Sequence, residues 1–158
     1  MPDLEKIERK VLRGKAVADA MEEFDWREFE ETVGDIFRSN DFRVRNNLRF
    51  KTSRRWENDL LAARGGLVFC VDCKRWARGR DKKWGIRKAA QEQQKRTSEL
   101  GKFLKSNPIA RGVLKISVTS FVPVIVTLHQ ENVLRAGRTF VVPVEKLNSF
   151  IVNYEALI

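Results

Sequence analysis

The sequence predicts a mixed α/β fold in which a central sheet is flanked by helices. Two amphipathic helical patterns precede three consecutive strand-like runs, and a further helix separates these from two more. The third run is apolar at almost every position, as in a central strand that is covered on both faces. The chain of 158 residues, 42% hydrophobic, suits a single domain with its own core. We expect a helical extension over residues 1–23 and the core of the domain over 24–158.

The N-terminal part of the chain predicts two helices. Residues 3–22 carry a rough apolar stripe at helical spacing, which Gly14 interrupts. The second helix, over 26–39, begins at Asp25, and Glu28 three residues later completes a capping box.

Three strands follow, over residues 42–50, 56–63 and 67–74. Between the second and third stands Gly65-Gly66, which predicts a hairpin with a two-residue turn. Such a turn pairs Arg64 with Leu67.

The rest of the chain alternates between helical and strand-like patterns. A long helix is predicted over 86–105, and Asn107-Pro108 ends it. Strand-rich runs follow over 113–128 and 139–144, and residues 144–150 predict a short closing helix. Because Pro123 lacks an N–H group, we expect the first run to be two pieces or an edge strand.

The register of the hairpin brings two acids together. With Arg64 opposite Leu67, Asp59 falls directly opposite Asp72 and shares its face. Two facing carboxylates in apolar strands repel one another and resist burial, and a divalent cation such as Mg²⁺ would remove both objections.

Two further groups complete this metal-site hypothesis. The backbone carbonyl of Cys73 is a candidate additional ligand, and Lys74 would stand beside the metal to orient water or stabilise charge on a phosphate. In the alternative interpretation, Asp72 and Lys74 simply reach solvent at a strand end, with Lys74 paired to Glu57.

One acid and one amide of the helices are candidates for the same site. Glu30 lies on the packed face of its helix with Val33, and Gly34 one turn later leaves room beside it. Gln93 lies within the apolar stripe of the long helix. It would support the site or, as an alternative, be a core glutamine bonded to the backbone.

Cys70 and Cys73 have a CxxC spacing, but we do not interpret them as a zinc or redox site. Residues three apart on a strand point to opposite faces, and the chain has no second pair of ligands. We expect two buried thiols.

The excess of positive charge indicates a polyanionic partner, most often nucleic acid and less often a membrane surface. The chain has 31 Lys and Arg against 21 Asp and Glu, for a net charge of +10. Two basic segments flank the hairpin. The candidate DNA-binding residues in them are Arg45, Arg49, Lys51, Arg54, Arg55, Arg75, Arg78, Arg80, Lys82, Lys83 and Arg87. Trp76 and Trp84 lie among these charges and would stack on bases, pack at a dimer interface or belong to the core.

The location of the protein is predicted from what the sequence lacks. Its start is charged, without the apolar core of a signal peptide, and polar residues and Pro123 interrupt its longest apolar stretch, over 118–128. We therefore expect a cytoplasmic protein without a membrane partner or an organic cofactor.

These residues resemble the PD-(D/E)xK nuclease superfamily, and most of all its archaeal Holliday-junction resolvases and Mrr-type restriction endonucleases. The resemblance covers residues 24–105, in a core of αβββα order that implies a restriction-endonuclease-like αβββαβ fold. The matching segments are Phe29-Glu30, Asp41-Phe42, Asn58-Asp59-Leu60-Leu61-Ala62 and Val71-Asp72-Cys73-Lys74. The sequence departs from the family at Asn58, where a proline is usual, at Asp72, where many relatives carry Glu, and at Asn40-Asp41-Phe42, which replaces a frequent Gly-Phe.

The resemblance implies a Mg²⁺- or Mn²⁺-dependent endonuclease that cuts DNA. By the match, Asp59 and Asp72 are metal ligands, Lys74 is the catalytic lysine, and Glu30 binds the metal directly or through water. Because resolvases and restriction enzymes cut two strands, it also implies a homodimer, for which the run 118–128 is a candidate apolar surface. The alternatives are a DNA-binding module that keeps the fold without cutting, and an RNA-processing nuclease.

Overall fold

The computed structural model describes residues 26–75, 83–117, 120–128 and 133–154, with the side chains of Lys83 and Trp84 outside this set. The helices are α1 (Trp26–Arg38), α2 (Lys83–Lys105), α3 (Pro108–Leu114) and α4 (Leu147–Val152), the last preceded by a 3-10 turn at Val144–Lys146. The strands are β1 (Arg43–Lys51), β2 (Arg55–Arg64), β3 (Leu67–Lys74), β4 (Ser120–Thr127), β5 (Leu134–Ala136) and β6 (Thr139–Pro143).

The six strands form one mixed sheet in the order β1-β2-β3-β4-β6-β5. The meander β1-β2-β3 is antiparallel, β3, β4 and β6 are parallel, and β5 pairs antiparallel with β6. The predicted mixed sheet flanked by helices is therefore confirmed, including β3 as an interior strand that is buried on both faces.

Two apolar clusters hold helices to opposite faces of the sheet. The α1-side cluster contains Phe29 and Phe37 of α1, Phe69 of β3 and residues of α4. The α2-side cluster contains Leu100 and Leu104 of α2, and α3 packs beside it through Leu114. The fold thus has three layers, with the sheet in the middle.

The hairpin is as predicted. Its paired residues run from Arg64↔Leu67 to Leu60↔Val71, which leaves Gly65 and Gly66 as the two-residue turn. Gly65 has a φ of +59°, a conformation that glycine adopts without the steric cost that a Cβ would bring.

The interpretation of the run 113–128 is wrong in two respects. Val113 belongs to α3, and β4 is one uninterrupted strand that lies between β3 and β6 in the sheet, although its pairing with β6 begins only at Val124, directly after Pro123. Most of β4 is buried in the core, so it is not an apolar surface for a second subunit. Gln93 of α2 donates a side-chain hydrogen bond to the carbonyl of Cys70, which lies opposite Pro123 in β3.

Two short elements were not predicted. Helix α3 begins at Pro108, because Asn107 caps it by accepting from the N–H of Ala110 at 3.0 Å. Strand β5 has only three residues and is held through β6. The predicted helix over 3–22 lies outside the described residues, as do residues 76–82 of the second basic segment. None of the described helices is both long enough and apolar enough to cross a membrane.

Candidate active site

Counted from the hairpin turn, the antiparallel pairing of β2 with β3 ends at Leu60, one residue short of Asp59. Leu60↔Val71 is the last pair, and beyond it the Asp59 carboxylate accepts the backbone N–H of Cys73 at 2.9 Å. A side chain therefore takes the place of a ladder bond, and the two strands separate with Asp59 and Asp72 at the point of separation.

The neighbouring strand is distorted at the same level. Asn47 of β1, which would pair with Asp59, has a φ of +51°, although the pairs on either side of it keep one register. Before and after Asn47, the apolar side chains of β1 point to opposite faces of the sheet. Val44 packs with the α1-side cluster, whereas Leu48 and Phe50 pack with the α2-side cluster. The sequence pattern of alternating residues does not show this change of face.

The two aspartates lie within hydrogen-bonding reach of one another. Burial raises the pKa of Asp59, the neighbouring carboxylates of Asp72 and Glu30 add to this, and the Cys73 N–H opposes it, so that the pKa is about 7. Asp72 itself is only 9% exposed. Asp59 therefore tends to keep its proton near neutral pH unless a cation compensates for the charge of its carboxylate.

Helix α1 places Glu30 within electrostatic reach of this pair. Burial raises the pKa of Glu30, and a hydrogen bond from the Trp26 side chain lowers it. The negative charges of Asp72 and Glu57 raise this pKa as well. Gly34 does not provide the expected room beside Glu30, because a Cβ at Gly34 would stand only 3.4 Å from Leu60. The glycine instead lets α1 pack closely on the sheet.

Lys74 forms its ion pair within the site. Its Nζ lies 3.2 Å from Oδ2 of Asp72, while Glu57 pairs with Arg49 at 3.4 Å. The alternative in which Lys74 pairs with Glu57 is therefore wrong. Thr127 lies opposite Lys74 in the parallel ladder, and its buried hydroxyl has no hydrogen-bond partner among the described residues. No signal in the sequence separates Thr127 from the apolar residues of its strand.

Gln93 is fully buried and joins α2 to the sheet. Its amide donates to the carbonyl of Cys70 at 2.8 Å and to Oδ1 of Asn58 at 3.3 Å, and its own oxygen accepts from Arg96. It is the backbone-bonded core glutamine of the alternative interpretation, and it also supports the residue that precedes Asp59. Asn58 was not predicted as a supporting residue, although a polar residue at this position of a buried strand was a visible signal.

The two cysteines are buried on opposite faces of β3, as predicted. Cys70 packs in the α2-side cluster and Cys73 in the α1-side cluster, and both are free thiols. Burial raises the pKa of each thiol, that of Cys70 to about 12. These thiols are therefore protonated and inert at neutral pH.

A family model described as a restriction endonuclease catalytic domain of Mrr type matches residues 21–125 of this chain. This range includes α1, the whole hairpin, α2 and most of β4. The chain belongs to the Mrr-type restriction endonuclease family. It is also similar to an uncharacterized protein of Archaeoglobus fulgidus, with 27% identity over 129 residues that cover 81% of this chain and 90% of the relative.

The carboxylates of this Mrr-type domain meet part of what a divalent metal requires. In residues 26–75, 83–117, 120–128 and 133–154, no three His, Cys, Asp or Glu side chains are close enough to form a metal site alone. The Asp59–Asp72 pair nevertheless fits Mg²⁺, which proteins usually bind through one or two carboxylates together with water and phosphate oxygens.

The predicted DNA-binding residues of the Mrr-type domain differ in their surroundings. Arg49, Lys51 and Arg55 are exposed around an open hollow beside Trp56, and Arg49 also pairs with Glu57. Arg45 and Arg54 are exposed but engaged, since Arg45 donates to the carbonyl of Val113 at 3.1 Å and Arg54 pairs with Glu92. Arg75 is half-buried and Arg87 exposed. Outside the described residues or side chains lie Trp76, Arg78, Arg80, Lys82, Lys83 and Trp84.

Proposed function

We propose that this Mrr-type protein is a divalent-metal-dependent endonuclease that hydrolyses phosphodiester bonds of DNA. The observation that supports the proposal best is the acid pair Asp59–Asp72 at the point where β2 and β3 separate, with Lys74 bound to Asp72 at 3.2 Å. Two carboxylates and a lysine at one strand end, in a member of a restriction endonuclease family, form a set that can bind a cation and a phosphate together.

Each residue of the set has a proposed role. Asp59 and Asp72 hold Mg²⁺ or Mn²⁺, with the Cys73 carbonyl as an additional ligand. Glu30 lies near enough to bind a water of the metal. A bound divalent cation would supply activation of water and neutralise charge on the phosphate.

The ion pair with Asp72 keeps the ammonium group of Lys74 next to the place where the phosphate would lie. Its positive charge there stabilises the negative charge that develops on the phosphate oxygens in the transition state. The exposed cations Arg49, Lys51 and Arg55 attract the DNA backbone, so binding should weaken steeply as salt is added.

The proposal is tested by incubating the protein with a panel of DNAs, with and without Mg²⁺ or Mn²⁺. Supercoiled plasmid, linear duplex, methylated duplex and a four-way junction distinguish a site-specific enzyme from a junction-cutting one. We expect cleavage only with metal, and loss of cleavage in Asp72→Ala with DNA binding kept. Asp35→Ala is the matched control, because Asp35 forms its ion pair with Arg38 of the same helix and not with a residue of the candidate site.

Three results would overturn the proposal. Full cleavage by Asp72→Ala would exclude the acid pair from the chemistry. Tight DNA binding without cleavage of any substrate would identify a DNA-binding module that keeps the fold alone, and a preference for RNA in competition would identify an RNA nuclease.

Because cutting both strands needs two sites, we also propose a homodimer, which sedimentation of the protein alone and on duplex DNA would measure.

A further inference from the structure

We propose that a groove between α2 and the amino-terminal half of β4 binds single-stranded DNA. The groove has a volume of about 790 Å³. One side of the groove is formed by α2 from Gln91 to Lys105, its floor by Phe121 and Pro123 of β4, and one end by Arg138. The proposal relies on DNA as the substrate of the proposed function, but not on its cleavage.

The groove is separate from the candidate active site. Its floor lies at Phe121 and Pro123, whereas Lys74 lies opposite Thr127 at the other end of β4. The stretch from Phe121 to Thr127 spans roughly 20 Å of extended strand. A strand of DNA that occupies the groove therefore binds residues beyond those at the acid pair.

The charge of the groove favours a polyanion. Lys95, Lys102, Lys105 and Arg138 line it, and Glu99 is the acid among its lining residues. Glu99 forms an ion pair with Lys102 at 3.6 Å, but the side chain of Glu99 is only 20% exposed and that of Lys102 is 72% exposed. The ammonium group of Lys102 thus reaches solvent while the carboxylate of Glu99 is shielded. An ion pair whose cation is this exposed is weak, so Glu99 competes only weakly with a phosphate for Lys102.

The floor of the groove provides an aromatic surface. Phe121 is half-buried, and position 101 of α2 beside it is a glycine, at which a Cβ would stand 3.7 Å from the ring. The ring is therefore not covered by a side chain from position 101. Basic walls with an aromatic ring at the floor bind single-stranded nucleic acid, because unpaired bases can stack while their phosphates approach the cations.

The end of the groove is held in place by one hydrogen bond. The backbone N–H of Arg138 donates to Oε1 of Gln94 at 3.0 Å, which ties the turn between β5 and β6 to α2. Gly137 in this turn has a φ of +62°, and a Cβ there would come within 2.9 Å of the same oxygen. The backbone at position 138 is thus held at the end of the groove before any ligand arrives, so less entropy is lost on binding.

The test is the affinity for a fluorescent 12-nucleotide oligo(dT), measured by anisotropy in EDTA so that no cleavage occurs. We expect the double variant Lys102→Ala/Arg138→Ala to bind about 10-fold more weakly. The salt dependence of binding should become shallower by about 0.7 for each phosphate that the variant no longer neutralises. The control, Arg38→Ala/Lys146→Ala, removes the same charge from α1 and the 3-10 turn, outside the groove, and should change the affinity less than about two-fold.

A second variant tests the stacking surface. Phe121→Leu keeps an apolar side chain of similar bulk, so the fold is retained, but removes the ring. We expect about a five-fold loss of affinity or more for oligo(dT) and no change for a 12-base-pair duplex.

Three outcomes would overturn the inference. One is an equal loss of affinity in the groove and control double variants, which would indicate general charge attraction. Another is unchanged binding by Phe121→Leu. The third is displacement of oligo(dT) by poly-glutamate as effectively as by unlabelled oligo(dT), which would indicate an acidic protein partner. If oligo(dT) binds as expected while no DNA is ever cleaved, the proposed nuclease function is wrong, but the inference that the groove binds single-stranded DNA stands.

Discussion

Replacing Asp59 by asparagine should stabilise the protein at pH 8 and abolish cleavage. Asparagine has nearly the same shape, and its side-chain oxygen can still accept the N–H of Cys73, which Asp59 accepts at 2.9 Å. Its amide can donate to Asp72, so the substitution removes a charge while it keeps the hydrogen bonds of the site.

The magnitude follows from the pKa of Asp59, which burial raises from 3.8 to about 7. The folded protein holds this proton more tightly than the unfolded chain does. Stability therefore falls as the pH rises from about 4 to about 7, and it is constant above that range. At 1.36 kcal/mol for each pH unit, the full loss is at most about 4 kcal/mol. Because solvent reaches part of the side chain, we expect about 2 kcal/mol.

The measurement is urea denaturation of the wild type and Asp59→Asn at pH 5, 6, 7 and 8, at one salt concentration. The gain in unfolding free energy should be small at pH 5, grow up to pH 7 and then level off. Asp35→Asn is the control. Its carboxylate pairs with Arg38 of the same helix at 2.9 Å, and the substitution would remove this favourable pair, so the control should show no gain at any pH. A gain for Asp59→Asn that is absent at pH 8, or equal at all four pH values, would refute the reasoning.

Three further predictions concern the residues around this pair. Lys74→Ala should lower the rate of plasmid cleavage by about 10²-fold or more while DNA binding in EDTA changes little, and an unchanged cleavage rate would contradict its role in charge stabilisation. Gln93→Ala should lower the unfolding free energy by about 1–3 kcal/mol, because it removes a buried amide that donates to the carbonyl of Cys70 and to the side chain of Asn58. The exposed Gln91→Ala should stay within about 0.5 kcal/mol. Gly65→Ala should cost about 1 kcal/mol because of its φ of +59°, and an equal or larger loss for Gly66→Ala would show that the turn is assigned wrongly.

Much of the fold could be predicted because it depends on local patterns. The turn Gly65-Gly66 and the strands on either side of it determine the hairpin register, which the pairs from Arg64↔Leu67 to Leu60↔Val71 confirm. The period of two along a strand likewise places Cys70 and Cys73 on opposite faces, as observed. Such features follow from neighbours in the chain and need no knowledge of what packs against them.

The predictions failed where distant residues decide the conformation. Pro123 is unfavourable inside a sheet, but β4 is an interior strand because both its neighbours and α2 bury it. The pairing of β4 with β6 begins only after the proline, at Val124↔Phe140, so this ladder needs no donor at position 123. A strand of this kind cannot be read from its own residues, because another element sets the position at which its second neighbour begins to pair.

The sequence by itself determined which residues meet at the candidate site, because the hairpin turn brings Asp59 and Asp72 together and the period of two sends Lys74 to the side of Asp72. Only the tertiary structure decided the state of these groups. The pairing stops at Leu60, the carboxylate of Asp59 takes the N–H of Cys73, and Lys74 pairs with Asp72 rather than with Glu57. The physical reason is that register is a property of adjacent strands, whereas strand separation, burial and pKa depend on the helices packed on both faces of the sheet.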